Sequence, residues 1–200
     1  MRNPKLMLAL KQSLIQKGVT LIENTQLEPI EETDKITGWA TTTGEVLAAD
    51  KYVVTSGAWS FDLQKETALK LDIKPVRGQI LLYQLPVNSL PHIVYQDGFY
   101  LVPCSDGYLL AGSTLEDVGF DTGTTETIKQ DLQMKAEAIL PSLKEAPIVK
   151  HWSGLRPGTP TIYRQLLYTL RYKNLYLNTG HFRYGLTMAP ASAKLIADLI

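Results

Sequence analysis

The sequence predicts an α+β fold built around an antiparallel sheet. Three observations carry that prediction. Two Asp-Gly pairs, Asp97-Gly98 and Asp106-Gly107, stand between alternating apolar runs, a strong hairpin signal. Helical signals mark both ends, a segment after Thr125 and a short stretch after Ser60. No two glycines are spaced as G-x-G, so the strand, glycine loop and helix of a dinucleotide-binding parallel sheet are missing.

Each element has its own signal. Asn3-Pro4 reads as an N-cap and first helical residue, and Leu6, Leu10 and Leu14 recur every four residues until Gly18 stops the helix. Val19 to Ile22 is β-rich. Leu27–Glu32 and Ile36–Thr42 flank a turn at Thr33-Asp34-Lys35, and Val46-Leu47 follows Gly44. Lys51–Ser56 is a half-buried strand ending at Gly57. Together these predict a small antiparallel meander over residues 19–56. Ser60 is placed to cap a short helix through Leu63 and Leu69. Residues 73–114 then form the larger sheet. Thr124 or Thr125 caps a helix that Pro141 ends. Ile148–Leu155 and Asn174–Thr179 are strands, and a last helix runs from about Pro190 to Ile200.

Composition removes several classes of function. Twenty basic and twenty acidic residues cancel, and both halves balance separately, so no global field draws the chain to nucleic acid or an anionic membrane. No apolar stretch reaches the roughly 20 residues of a membrane span. The first residues lack a signal-peptide pattern, because Lys11 and Gln12 cut the apolar run. A lone Cys104 excludes an intrachain disulfide and suits a reducing, cytoplasmic setting. No Gly precedes Lys, no Ser sits in G-x-S-x-G, and His92, His151 and His181 are too scattered for a helical zinc site.

The carboxy-terminal segment holds the candidates for an anion site. From Ala146 to Ala197 there is no acidic residue, while Lys150, Arg156, Arg164, Arg171, Lys173, Arg183 and Lys194 lie inside it. Arg156 and Arg183 sit among packing residues, in Trp152-Ser-Gly-Leu-Arg-Pro157 and Gly180-His-Phe-Arg-Tyr-Gly185. An arginine held by apolar neighbours loses hydration and needs an anion, and its planar fork fits a carboxylate. Solvated surface charge, or partners from elsewhere in the fold, would explain the same residues. The glycines at 180 and 185 suit close backbone approach to a flat ligand. They suit an ordinary strand–loop–helix corner equally well.

These segments resemble the carboxy-terminal part of the FAD-dependent D-amino-acid oxidase family, closest to the glycine oxidases of thiamine biosynthesis. The resemblance runs along nearly the whole chain. Val53-Val-Thr-Ser-Gly-Ala-Trp-Ser60 matches a strand ending in Gly-Ala-Trp-Ser, and Pro75-Val-Arg-Gly-Gln79 matches the start of the substrate domain. Phe99-Tyr-Leu-Val-Pro103, Gly107 and Gly112-Ser-Thr114 match its hairpin. Trp152–Pro157 and Gly180–Gly185, with Ala189-Pro190, match its two most specific motifs.

The resemblance implies roles. Arg156 grips a substrate carboxylate, Arg183 is a second substrate-side arginine, and the Tyr100 hydroxyl helps hold that carboxylate. His181, Phe182, Arg183, Tyr184, Gly185, Leu186 and Thr187, with Gly180, supply backbone contacts to the isoalloxazine. The following helix end favours negative charge on the reduced ring. Leu27 meets the adenosine part, and Gly57 and Ala58 line the cofactor side. The implied chemistry is hydride transfer from the amino-acid α-carbon to flavin N5, hydrolysis of the imine to a 2-oxo acid and ammonia, and peroxide formation as oxygen reoxidises the flavin. Orientation over the ring supplies the rate, with no catalytic acid or base required.

The implied architecture is a substrate-binding domain at 58–150 between two pieces, 1–57 and 151–200, of an incomplete FAD-binding domain. The chain departs from the family in three ways. The strand, glycine loop and helix that hold the FAD diphosphate are absent. Thr161–Tyr168 replaces a Pro-Ile-Gly-like segment. Tyr184 and Leu115 stand where Asn and Met are frequent. Two expectations follow: a substrate-binding portion inactive without a separate chain carrying the dinucleotide-binding half, or a non-catalytic, partner-binding remnant. A third, an anion- or nucleic-acid-binding domain, needs a contiguous basic face and steep salt dependence.

Overall fold

The computed structural model describes residues 3–62, 72–159 and 172–200, and the backbone of 166–168. The expected helix residues Leu63 and Leu69, and most of Thr161–Tyr168, lie outside the described residues. So do Arg164 and Arg171. The chain divides into two compact units, residues 1–24, 78–114 and 123–153 in the first and 25–77, 115–122 and 154–200 in the second.

The first unit opens with helix α1 (Asn3–Gln16). Gly18 follows with φ +75°, the left-handed stop that a glycine supplies cheaply. No residue of α1 is buried, and Met7, Leu10, Leu14 and Ile15 are exposed. The expected strand at Val19–Ile22 does not form. Val19 N–H closes the helix on Leu14 O (3.1 Å), and Thr20–Ile22 meets no strand among the described residues. A β-rich sequence becomes a strand only where a neighbouring backbone completes its ladder.

The principal sheet carries β5 (Lys74–Gln84), β6 (Val94–Gln96), β7 (Phe99–Pro103), β8 (Tyr108–Gly112) and β9 (Ile148–Gly158), in the order β6-β7-β8-β5-β9. Asp97 and Gly98 both have positive φ (49° and 84°), as a two-residue hairpin turn demands, and Gln96 pairs with Phe99 across it. Gly107 (φ +81°) turns the next connection. Alternation along β5, β7 and β8 buries Leu81, Tyr83, Leu101 and Leu109 on one face. Helix α2 (Glu126–Ile139) covers that face with Leu132 and Ala136. Thr125 is its N-cap, accepting from Ile128 N–H, and Pro141 follows its end.

In the second unit, β1 (Leu27–Glu32), β2 (Lys35–Thr41) and β3 (Val46–Leu47) form the expected antiparallel meander, turning at Thr33-Asp34. The next strand, β4 (Tyr52–Val54), leaves it. It pairs in parallel with β11 (Leu175–Asn178), which also pairs antiparallel with β10 (Leu166–Tyr168). The apolar pattern of β4 is compatible with either sheet. Its partner comes from more than a hundred residues away, which no local signal reveals. The last helix also differs from expectation. α3 spans Gly185–Leu199, so Pro190 lies inside it rather than at its start. Pro190 falls in the second turn, where it has no N–H for the Leu186 carbonyl and its ring crowds that oxygen.

Candidate functional site

The site is assembled in the second unit. Tyr52–Val54 runs into a tight 3-10 turn at Gly57–Trp59, where Gly57 has φ +58°. That region favours glycine, so the Gly-Ala-Trp-Ser sequence fixes the bend. Ala58 is fully buried beneath it. On the other side of the parallel pair, β11 runs on into Thr179-Gly180, and Gly180 (φ +76°) begins a second bend through Phe182 (φ +49°).

Buried hydroxyls join the two bends. Ser60 Oγ donates to Thr179 Oγ1 (2.9 Å), and Thr179 Oγ1 donates to the Gly57 carbonyl (3.0 Å). Ser56 Oγ lies 3.0 Å from Ser60 Oγ. Local sequence signals miss this junction: Ser60 reads as a helix cap and Thr179 as a strand end.

The second bend enters α3 directly. Met188 N–H bonds to Tyr184 O (2.9 Å), so the N–H groups of Gly185, Leu186 and Thr187 have no intrahelical acceptor. Tyr184 is the N-cap and makes no side-chain cap, and the first turn holds no acid. The positive helix end is therefore open to an acceptor or an anion. Tyr184, Leu186 and Met188 expose apolar surface beside it. His181 is half-buried, and burial holds its ring below the ordinary histidine range, so it is neutral at pH 7.

A separate concavity of about 740 Å³ lies beside the first bend, lined by Leu27, Trp39, Tyr52, Ser56 and Trp59 among others. The structure thus brings Leu27 to the same wall as the residues flanking Gly57. Trp59 packs on Phe120 (centroids 6.1 Å apart), which also meets Phe61 (6.0 Å).

The remaining candidates stand as follows. Arg156 lies near the end of β9 and is half-buried, and Arg183 lies on the second bend and is exposed. Tyr100 is half-buried on β7 in the first unit, in register with Gly112 and Tyr95. In the acid-free segment, Lys173 pairs with Asp34 from outside it, and Lys150 stands over the ring of Trp152 within it (5.5 Å). Among the described residues no group of acidic, His and Cys side chains could hold a metal, and no helix is long and apolar enough to cross a membrane.

A family model of FAD-dependent oxidoreductases, designated DAO, matches residues 1–199. The chain belongs to this family. Glycine oxidase of Pseudomonas aeruginosa is 41% identical over the whole chain, which covers 55% of that relative. The bifunctional protein ThiO/ThiG of Trichormus variabilis is 36% identical over 92% of the chain and 28% of the relative. The chain therefore spans about half, or less, of the length of the curated relatives it matches. The crystal structure of glycine oxidase from Geobacillus kaustophilus superposes with a TM-score of 0.90 at 32% identity, over 98% of this chain and 53% of that one. The α+β fold with its antiparallel sheet is thus the glycine oxidase fold, and the family's cofactor is FAD.

The residues present fit part of that cofactor. Three open N–H groups, an acid-free helix start and exposed apolar side chains suit the edge and face of an isoalloxazine. Among the described residues, the Asn178 side-chain oxygen is buried without a hydrogen-bond donor. No glycine pair at G-x-G spacing supplies a diphosphate cradle.

Proposed function

We propose that this chain is the substrate-binding portion of an FAD-dependent oxidase of small amino acids, glycine or sarcosine or a D-amino acid. In this reading it needs a dinucleotide-binding half to work. One observation carries it: the uncapped, acid-free start of α3 falls on Gly185–Thr187, within the segment whose motif implies flavin contact.

Bound FAD would supply the two-electron acceptor. This chain's residues bind and orient. Arg156 holds the substrate carboxylate through its planar fork, and the Tyr100 hydroxyl and Arg183 assist. Backbone groups of Gly180–Thr187 face the isoalloxazine, Gly57 and Ala58 line its side, and Leu27 meets the adenosine part. Neutral His181 adds no positive charge that would compete for the carboxylate. Water and oxygen are consumed, and the products are the 2-oxo acid, hydrogen peroxide and ammonia, or methylamine in place of ammonia from sarcosine.

The exposed apolar face of α1 and the unladdered Thr20–Ile22 support the need for a second half, whether in the same polypeptide or on a separate chain. The same face favours the second reading, a partner-binding module without redox chemistry. Co-expression with the dinucleotide-binding half of a glycine oxidase separates them. The oxidase reading expects yellow colour and peroxide with glycine or sarcosine. A stable colourless complex supports the module.

A further inference from the structure

Hydroxyl chemistry gives the junction between the two bends a direction. A hydroxyl has one proton. Thr179 gives its own to the Gly57 carbonyl and Ser60 gives its own to Thr179, so Ser56 must donate to Ser60. The chain of donors runs Ser56, Ser60, Thr179, Gly57 and closes within one residue of its start. Ser60 is 0% exposed and Thr179 3% exposed, and they stand 119 residues apart in sequence. Burying hydroxyls is at best neutral if filling space is the only need, since an apolar residue of similar shape does that without desolvation. A closed, fully satisfied network instead fixes geometry.

What it fixes is the relation between two bends whose backbones hold left-handed conformations, Gly57 on one and Gly180 and Phe182 on the other. We propose that Ser60 and Thr179 are positioning residues that latch the Gly57–Trp59 turn to the Thr179–Tyr184 bend, presenting both as one preset cofactor-binding surface. The cofactor part of this inference rests on the function proposed above; the latch does not. Two bends tied together before binding lose less freedom when a rigid ring settles on them, which raises affinity without any new contact.

The test is amide hydrogen exchange on the full chain, without added flavin, in Thr179→Val, Thr179→Ser and Ser60→Ala. Leu177→Val serves as a control of similar burial. The latch expects Thr179→Val and Ser60→Ala to speed exchange about tenfold in both segments, 57–60 and 179–184. Thr179→Ser should restore the slow rates, and Leu177→Val, which keeps the latch, should not speed exchange in both segments together. Acceleration confined to the mutated segment, or a Ser variant that behaves like Val, overturns the proposal. If Thr179→Val does not fold, Ser60→Ala and Thr179→Ser decide the same question. A second arm titrates FAD by fluorescence into the chain paired with a dinucleotide-binding half. The latch expects about tenfold weaker binding for Thr179→Val and recovery in Thr179→Ser. Coupled exchange in a wild-type pair that takes up no flavin removes the oxidase reading and leaves the latch standing. Coupled exchange with unchanged FAD affinity overturns its role toward the cofactor.

Discussion

Arg77 holds Glu116 by main chain and side chain together. Their backbones exchange two hydrogen bonds of 2.9 Å, and the guanidinium gives Nη2 (2.7 Å) and Nε (3.2 Å) to one Glu116 oxygen. Nη1 reaches Asp121. The Arg77 side chain is almost fully buried, so its charge is tolerable only because two carboxylates meet it. Those partners push its pKa further up, with Glu116 the larger influence.

Arg77→Met should therefore cost about 2–3 kcal/mol, because it leaves Glu116 half-enclosed beside an apolar side chain. Asp121→Asn, at the exposed end of the network, should cost less than about 1 kcal/mol. Urea denaturation midpoints of the two variants check the order.

Asn174 imitates a strand. Its amide nitrogen donates to Ile36 O (2.8 Å), and its carbonyl oxygen accepts from Ile36 N–H (2.9 Å). Asn174→Leu removes both bonds at a partly buried backbone. A loss of about 1–3 kcal/mol is expected, with faster exchange of the Ile36 amide. Asn174→Asp keeps the acceptor and loses the donor, so it should fall between wild type and Leu.

Tyr83 presents the opposite case. Its ring is buried in the core of the first unit, and its hydroxyl has no hydrogen-bond partner. Tyr83→Phe should be neutral or stabilising by up to about 1 kcal/mol. Burial, with the Glu137 charge adding to it, pushes the phenol up to about 12 from 10.0. Between those values the unfolded chain loses the proton first, so wild-type stability falls as pH rises through that window. The Phe variant should lack this slope.

His181 gives a slope at the other end. Its folded pKa is lowered from 6.5 by burial, so in that region the unfolded chain binds more protons. Stability should rise with pH through the interval between the lowered value and 6.5, and be fully present above it. Chemical denaturation from pH 5 to pH 8 should show this increment, and His181→Gln should remove it.

Much of this molecule is readable where local chemistry compels the backbone. Asp97-Gly98 needs two positive φ angles and marks its hairpin. Gly18 stops α1, and Thr125 caps α2. The rest depends on distance. No local pattern tells β4 that its neighbour is β11, or Ser60 that its partner is Thr179. Pro190 misleads about α3, because proline is a marker of the first helical position and here the helix begins five residues before it. The site segments around Gly57 and Gly180 were legible as motifs. The hydroxyls that join them were not, since serine and threonine at segment ends are ordinary caps.

Val19–Ile22 bears on how the purified material behaves. An apolar stretch that meets no strand among the described residues, next to a helix carrying Met7, Leu10 and Ile15 in water, is an adhesive surface. Samples of this polypeptide by itself should self-associate as they are concentrated, with light scattering rising well before the core melts. A lysine in place of Leu21 should delay that onset while leaving the thermal midpoint where it was.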